Sequence, residues 1–297
     1  MGTTDLTETQ PVPTATAMTP AQLAQLEWPV ERIIKPAKRR IRVRDIPSYA
    51  QLIRVVAARD LKVKYKQSIL GPVWLVFQPL ALLAAFFVAF RGLAGVHTSH
   101  LPYILFALVG LSVWSFFQAA MTIGTASLVT NASLIRSTPS PRAAFPLATI
   151  IASLPSFAIT ASAALLATII TGHLSFRVLL LPLALVWLLL LTVGSVSLLS
   201  ALTVRYRDIN SALPFLLQVA VFVAPVGYPL ADLSPKVRAI VDFNPITGVI
   251  EATRWMMVSG YHCSIEPILL SLAGTAILVT FGWRVFSRFE TSMADDI

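Results

Sequence analysis

Residues 178–202 read VLLLPLALVWLLLLTVGSVSLLSAL, a stretch without one Asp, Glu, Lys, Arg, His, Asn or Gln. A helix needs about 20 mainly apolar residues to cross a hydrocarbon core roughly 30 Å thick. In lipid, each backbone amide must also find its partner inside the segment. The stretch therefore predicts a membrane-crossing helix. Working outward, similar gaps free of Asp, Glu, Lys and Arg run from Lys66 to Arg91, Arg91 to Arg136, Arg142 to Arg177, Asp208 to Asp232 and Glu266 to Arg284. A polar turn (His97, Thr98, Ser99, His100) opens the second gap. Six spans follow, near 72–90, 102–126, 144–170, 178–202, 212–230 and 267–286.

Composition agrees. Of the 297 residues, 56% are hydrophobic and 12% charged, and mean hydropathy is +0.75. Soluble domains carry about 25% charged residues. A single cysteine, Cys263, cannot form a bridge within the chain, and 13 Gly with 20 Pro fit neither collagen nor a low-complexity chain. The predicted fold class is an all-α polytopic membrane protein.

Orientation follows from the basic residues. Residues 32–66 hold twelve of the 23 Lys and Arg. Arg136, Arg142, Arg205, Arg207, Arg284 and Arg288 fall on the same predicted side, against Arg91, Arg177, Lys236, Arg238 and Arg254 on the other. The positive-inside rule then places both termini in the cytoplasm of a multi-pass cell-membrane protein. A net charge of +9 also raises nucleic acid as a partner. The basic run abuts the first span, however, where anionic head groups attract each cation by about 1 kcal/mol. The membrane reading is preferred.

Three divisions result: a Thr/Pro-rich acidic tail over 1–31, a basic segment and amphipathic helix over 32–70, and the spans over 71–297. The tail carries no apolar core of a secretory signal and reads as disordered and cytoplasmic. In residues 48–66, Tyr49, Leu52, Ile53, Val56 and Val63 recur at helical spacing opposite Gln51, Arg54, Ala58, Lys62 and Lys66. This helix lies on the membrane or packs on a partner. Gly71-Pro72 opens the first span, and Trp74 and Trp187 suit the head-group level. Ala120 with Gly124 and Ser197 with Ala201 allow close helix approach.

The cytoplasmic loops 130–142 (TNASLIRSTPSPR) and 203–210 (TVRYRDIN) read either as knobs for a cytosolic partner or as ordinary basic turns. Between spans five and six, residues 231–266 are too many for a turn. They read as two amphipathic helices at the outer surface. Glu251 and Arg254 are spaced there as a helical salt bridge.

Catalytic chemistry is not visible. No G-x-x-x-x-G-K-[ST] loop occurs, and His97, His100, His173 and His262 lack the HExxH spacing. No catalytic residue, metal site or resident cofactor is assigned. No predicted span interior carries a charge, whereas ion-coupled carriers keep ionisable groups at depth. The inference is a permease driven by a separate ATPase on the basic face.

Residues 59–79, RDLKVKYKQSILGPVWLVFQP, resemble the approach to the first span of ABC-type polysaccharide and polyol-phosphate export permeases. The similarity rests on Arg59, Asp60, Leu61, Tyr65, Ser68, Leu70, Gly71, Pro72, Trp74 and Pro79. Asn131, Leu134, Ile135 and Arg142 resemble the family's N-x-x-L-I loop, with Ser140-Pro141 where an aromatic-Pro is common. Weaker similarities lie at Arg205, Arg207, Asp208 and Ile209, at Pro225, Tyr228 and Pro229, at Asn244-Pro245 and Arg254, and at Phe289, Glu290, Ala294 and Asp295.

The resemblance implies a homodimer with two copies of a cytosolic ABC ATPase, which holds the ATP and Mg. Its substrate would be a polyprenyl-diphosphate-linked polysaccharide. Asn131, Leu134, Ile135 and Arg136, with Arg205, Arg207 and Asp208, would couple to the ATPase. Arg59, Asp60, Lys62, Lys64 and Tyr65 would belong to an interface helix at the lipid head groups. Asn244, Pro245, Glu251 and Arg254 would sit on outer gate helices. Phe86, Phe90, Trp114, Phe117, Phe222 and Tyr228 are candidates for a channel wall, although any one of them taken singly is better suited to packing or to facing lipid. The long N-terminal extension and Ala/Pro-rich composition resemble exporters of lipid-linked cell-wall galactan. The alternatives are a membrane-bound glycan-assembly enzyme and a small-lipid or drug exporter of the same fold.

Overall fold

A computed structural model describes residues 49–66, 73–96, 98, 101–137 and 141–289. The 1–31 tail and most of the basic segment lie outside these residues. Ten α-helices occur among the described residues, in chain order: α1 (Ala50–Lys66), α2 (Trp74–Phe86), α3 (Tyr103–Thr130), α4 (Ala132–Ser137), α5 (Ala144–Ile170), α6 (Leu181–Arg205), α7 (Asp208–Val223), α8 (Pro235–Asp242), α9 (Pro245–Met257) and α10 (Ile265–Phe289). A wide π-type stretch, Phe87–Leu93, prolongs α2, and a 3-10 turn, Phe176–Leu180, leads into α6.

Among the described residues, five segments are long and apolar enough to cross a membrane: Val76–Leu93, Tyr103–Thr130, Ala144–Ile170, Phe176–Arg205 and Ile265–Phe289. The span expected over 212–230 is instead the 16-residue helix α7, which stops at Val223. At 1.5 Å per residue it is about 24 Å long, short of a full crossing. Its end has a local cause. Ala224 precedes Pro225 and takes extended geometry (φ −73°, ψ 141°), because the proline ring disfavours helix in the residue before it.

Helix α3 is the axis of the bundle, buried along most of its length between α5 and α6. Gly124 permits this: a Cβ there would come 2.7 Å from Val196 on α6 and 3.2 Å from Thr149 on α5. Helices α6 and α10 cross closer still. A Cβ on Gly194 would lie 2.6 Å from the Val279 backbone nitrogen, and one on Gly282 would run into the Gly194 carbonyl. In an apolar solvent such packing replaces the hydrophobic drive between helices.

At one end of the bundle, α1 lies across the helix termini and buries Ile53, Val56 and Ala57 against Phe145, Ala148, Ala201, Val204 and Phe286. The expected stripe is corrected at one position. Val63 is exposed, and Ala57 takes its place in the contact. At the other end, α9 packs on α3, α6 and the start of α10. An isolated bridge, Leu174 with Val258, ties its end to the lead-in of α6. Trp74 is exposed, whereas Trp187 is half-buried and donates its indole N–H to Thr275 on α10 at 3.0 Å. Trp187 thus joins two helices.

Candidate functional site

The α1 end is a cationic surface over an apolar groove. Lys62, Arg136, Arg205, Arg207, Arg284 and Arg288 are exposed there, and Arg142 is half-buried. The Arg205 guanidinium lies 5.8 Å from the Tyr206 ring centroid, and Asp208 begins α7, where a carboxylate favours the helix dipole. Arg59 donates to Asp60 at 2.8 Å and 3.1 Å, and to the Asn131 side-chain oxygen at 2.6 Å. Asn131 is buried at the end of α3 and donates to the Ser127 carbonyl at 2.8 Å. One guanidinium therefore fastens α1 to the start of the 130–142 loop. Beneath it, a cavity of about 570 Å³ is lined by Arg59 and Val63 of α1, Thr122 and Thr130 of α3, and Thr149 and Ser153 of α5, among others. Leu134 and Ile135 do not stand free as knobs. Both are half-buried against the α1-end cluster, and among the described residues of that loop Thr130, Ser133 and Arg136 are exposed. The side chains of Lys64 and Tyr65 lie outside the described residues.

The opposite end holds the larger correction. Glu251 and Arg254 were expected on an outer surface; their residues are 2% and 0% exposed. They pair at 3.0 Å. Arg254 also donates to the carbonyls of Phe106 (3.3 Å) and Val226 (2.8 Å), and its guanidinium lies 3.6 Å from the Phe106 ring centroid. Tyr261 donates its hydroxyl to Glu251, with the carboxylate oxygens at 2.9 Å and 3.0 Å. Burial pushes that hydroxyl well above the ordinary phenol range, so it stays a donor. Gly110 makes room for the arginine, since a Cβ there would lie 2.7 Å from Nη2. Asn244 caps α9 by accepting from the Ile246 amide at 3.3 Å. Pro245 occupies the first turn, where its missing N–H costs nothing, and its carbonyl accepts from Ser271. Tyr103, Phe106, Val226 and Tyr261 carry no sequence signal for these roles.

Four of the six candidate wall aromatics come together. Phe86 stacks on Phe222 with centroids 5.7 Å apart and planes at 5°. Phe90 lies 5.2 Å from Phe86, 6.5 Å from Phe222 and 5.9 Å from Tyr228. Trp114 and Phe117 form a separate pair on α3, with Trp114 donating to Gln118 at 3.1 Å. Trp114 and Phe86 are 1% and 2% exposed, so neither offers a ring face to a lumen in this conformation. Phe222 is 55% exposed. Gln78 on α2 and Gln218 on α7 are exposed, and Ser115 and Gln118 on α3 are half-buried. An amide facing lipid tails without a partner is costly, so the exposed Gln78 and Gln218 suit water better than hydrocarbon.

Comparison with known proteins decides the family. The ABC-2 type transporter family matches residues 51–258, from α1 through the end of α9. The chain belongs to the ABC-2 type transporter family. It is thus a multi-pass membrane permease of the ABC class, whose family membership implies an ABC ATPase partner. An O-antigen export system permease protein RfbA of Klebsiella pneumoniae is 26% identical over 247 residues, covering 82% of this chain and 94% of the relative. The Myxococcus xanthus protein of the same description is 23% identical over 252 residues, covering 84% and 95%. In this ABC-2 permease the matched region takes in both the Arg59–Asn131 fastening and the buried Arg254 cluster.

Proposed function

We propose that this permease is the membrane half of an ATP-driven exporter that carries a polyprenyl-diphosphate-linked polysaccharide from the cytoplasm to the outer face of the cell membrane. The observation that carries the reading is the near full-length similarity to permeases of O-antigen export. In it, two copies of the chain pair with two copies of a cytosolic ABC ATPase. The ATPase holds ATP and Mg, and this chain contributes no catalytic group.

The orientation places the α1 end in the cytoplasm. The exposed Lys62, Arg136, Arg205 and Arg207 then face the ATPase and the anionic head groups. Strokes of the ATPase enter at the loop 130–142, and the Arg59–Asn131 bond passes them to α1. Helix α7 enters the membrane as a sixth, shorter element, and α8 and α9 form the outer gate. The α2–α3–α7 face lines the conduit. Its glutamines keep water beside the glycan, and its half-exposed aromatics hold sugar faces weakly at many positions. A cell-wall galactan is the glycan we assign.

Export of a lipid-linked glycan by cells expressing the chain with its ATPase tests the reading. Arg59→Ala and Asn131→Leu are expected to lower export while ATPase binding and membrane insertion persist. Normal export in both variants removes the coupling assignment. Turnover of a sugar donor by the purified chain without any ATPase favours a glycan-assembly enzyme instead.

A further inference from the structure

The Arg254 cluster touches the aromatic group through one short turn. Residues 224–228 leave α7 and are held from both sides. On one side Arg254 donates to the Val226 carbonyl at 2.8 Å. On the other, the Tyr103 hydroxyl bridges the Gly227 carbonyl (3.0 Å) and the Phe86 carbonyl (3.2 Å). Gly227 lies flush on the rings: a Cβ there would be 2.5 Å from Phe86 Cδ1 and 2.8 Å from Phe90 Cδ2. Tyr228 completes the turn by donating to the Val223 carbonyl at 2.8 Å. The turn therefore sets where Phe222 and Tyr228 stand against Phe86 and Phe90.

We infer that Arg254 is the positioning residue of a channel constriction, clamping the 224–228 turn so that the Phe86–Phe90–Phe222–Tyr228 group stays closed. The clamp joins this constriction to α9, because the same guanidinium is fixed to Glu251 on α9 and to the Phe106 carbonyl on α3. When α9 shifts, the Val226 carbonyl follows or loses its donor; either change moves the rings apart. A guanidinium suits this task, because its planar fork donates in several fixed directions at once, whereas an ammonium is a single point. Gly110 and Gly227 are the complementary features, one leaving space for the guanidinium and the other bringing the turn against the rings. The inference rests on the reading that the α2–α3–α7 face lines the conduit.

The test uses the full chain with its ATPase in proteoliposomes loaded with carboxyfluorescein, in a Cys263→Ser background that removes the single native thiol. Arg254→Lys is expected to raise nucleotide-independent dye efflux roughly tenfold, the scale for losing one charge-assisted hydrogen bond from a closed state, and Tyr103→Phe roughly fivefold, the scale for losing a neutral one. Gly282→Ala, which forces a methyl group toward the Gly194 carbonyl in the α6–α10 crossing, serves as the stability control. It is expected to lower the melting temperature without efflux. If Arg254→Lys does not fold, Tyr103→Phe carries the test by itself. Vesicles that stay as tight as wild type overturn the clamp, as does efflux that merely tracks melting temperature and includes Gly282→Ala. Reaction of Gln218→Cys with a membrane-impermeant thiol reagent separates the two readings. Labelling with tight vesicles removes the clamp alone, whereas no labelling during turnover removes the conduit face and the clamp with it.

Discussion

Replacing Glu251 by leucine leaves the Arg254 charge without its counter-ion in a site closed to water. Arg254 is 0% exposed and its carboxylate partner sits 3.0 Å away. Two unit charges about 4 Å apart attract by about 4 kcal/mol at an effective dielectric of 20. Two carbonyls and one ring face remain around the guanidinium, and they keep its donors occupied without supplying negative charge. The expected loss of folding free energy is about 3–5 kcal/mol, the range for breaking a buried pair from one side. Glu251→Gln retains an acceptor oxygen for Arg254, and about half that loss is expected. Glu251→Leu combined with Arg254→Met removes both charges, and most of the stability is expected to return. Reversible unfolding of the purified permease by sodium dodecyl sulfate, read by helical circular dichroism, measures wild type, Glu251→Leu, Arg254→Met and the double variant as one cycle, with Glu251→Gln beside them. A Glu251→Leu protein within about 1 kcal/mol of wild type, the scale of an exposed pair, refutes the reasoning. So does a double variant no more stable than the single.

Two further outcomes follow from backbone packing. Gly282→Ala gains about 1 kcal/mol of helix propensity but drives a methyl group into the Gly194 carbonyl, a neighbour that no rotamer change can move. A net loss of roughly 1–2 kcal/mol is expected from such overpacking, and an equal or raised melting temperature contradicts the α6–α10 crossing. Asn244→Ala removes the cap from the Ile246 amide. It is expected to cost about 1 kcal/mol and to speed amide exchange in the first turn of α9, with exchange in α3 unchanged.

Hydropathy located five of the six apolar elements to within a few residues, because a charge-free run long enough to cross lipid has few alternatives. The sixth was overextended. Apolarity continues past Val223 through Val226, and only Pro225 reveals where the helix stops. The amphipathic reading of α1 fits Ile53 and Val56 but not Val63, which lines the open cavity beside α3 and α5 instead of packing in the core. Small residues at helical spacing marked the α3 approach through Gly124. Nothing of that kind singled out Gly194 and Gly282, which lie on separate helices.

The sites divide in the same manner. The blocks around Arg59 and Asn131 were legible as a family resemblance, and the fold then joined them across 72 positions of sequence with one hydrogen bond. Glu251 and Arg254 were legible as neighbours on a helix, but their burial was not. Sequence alone determined the apolar run lengths, the basic asymmetry and the local helix signals, since each is a property of consecutive residues. Only the tertiary structure decided that Arg254 reaches Phe106 and Val226, positions 148 and 28 residues away, and that Phe86 meets Phe222. Those contacts depend on how helices cross, and a crossing is set by the shapes of both surfaces rather than by the pattern along either one.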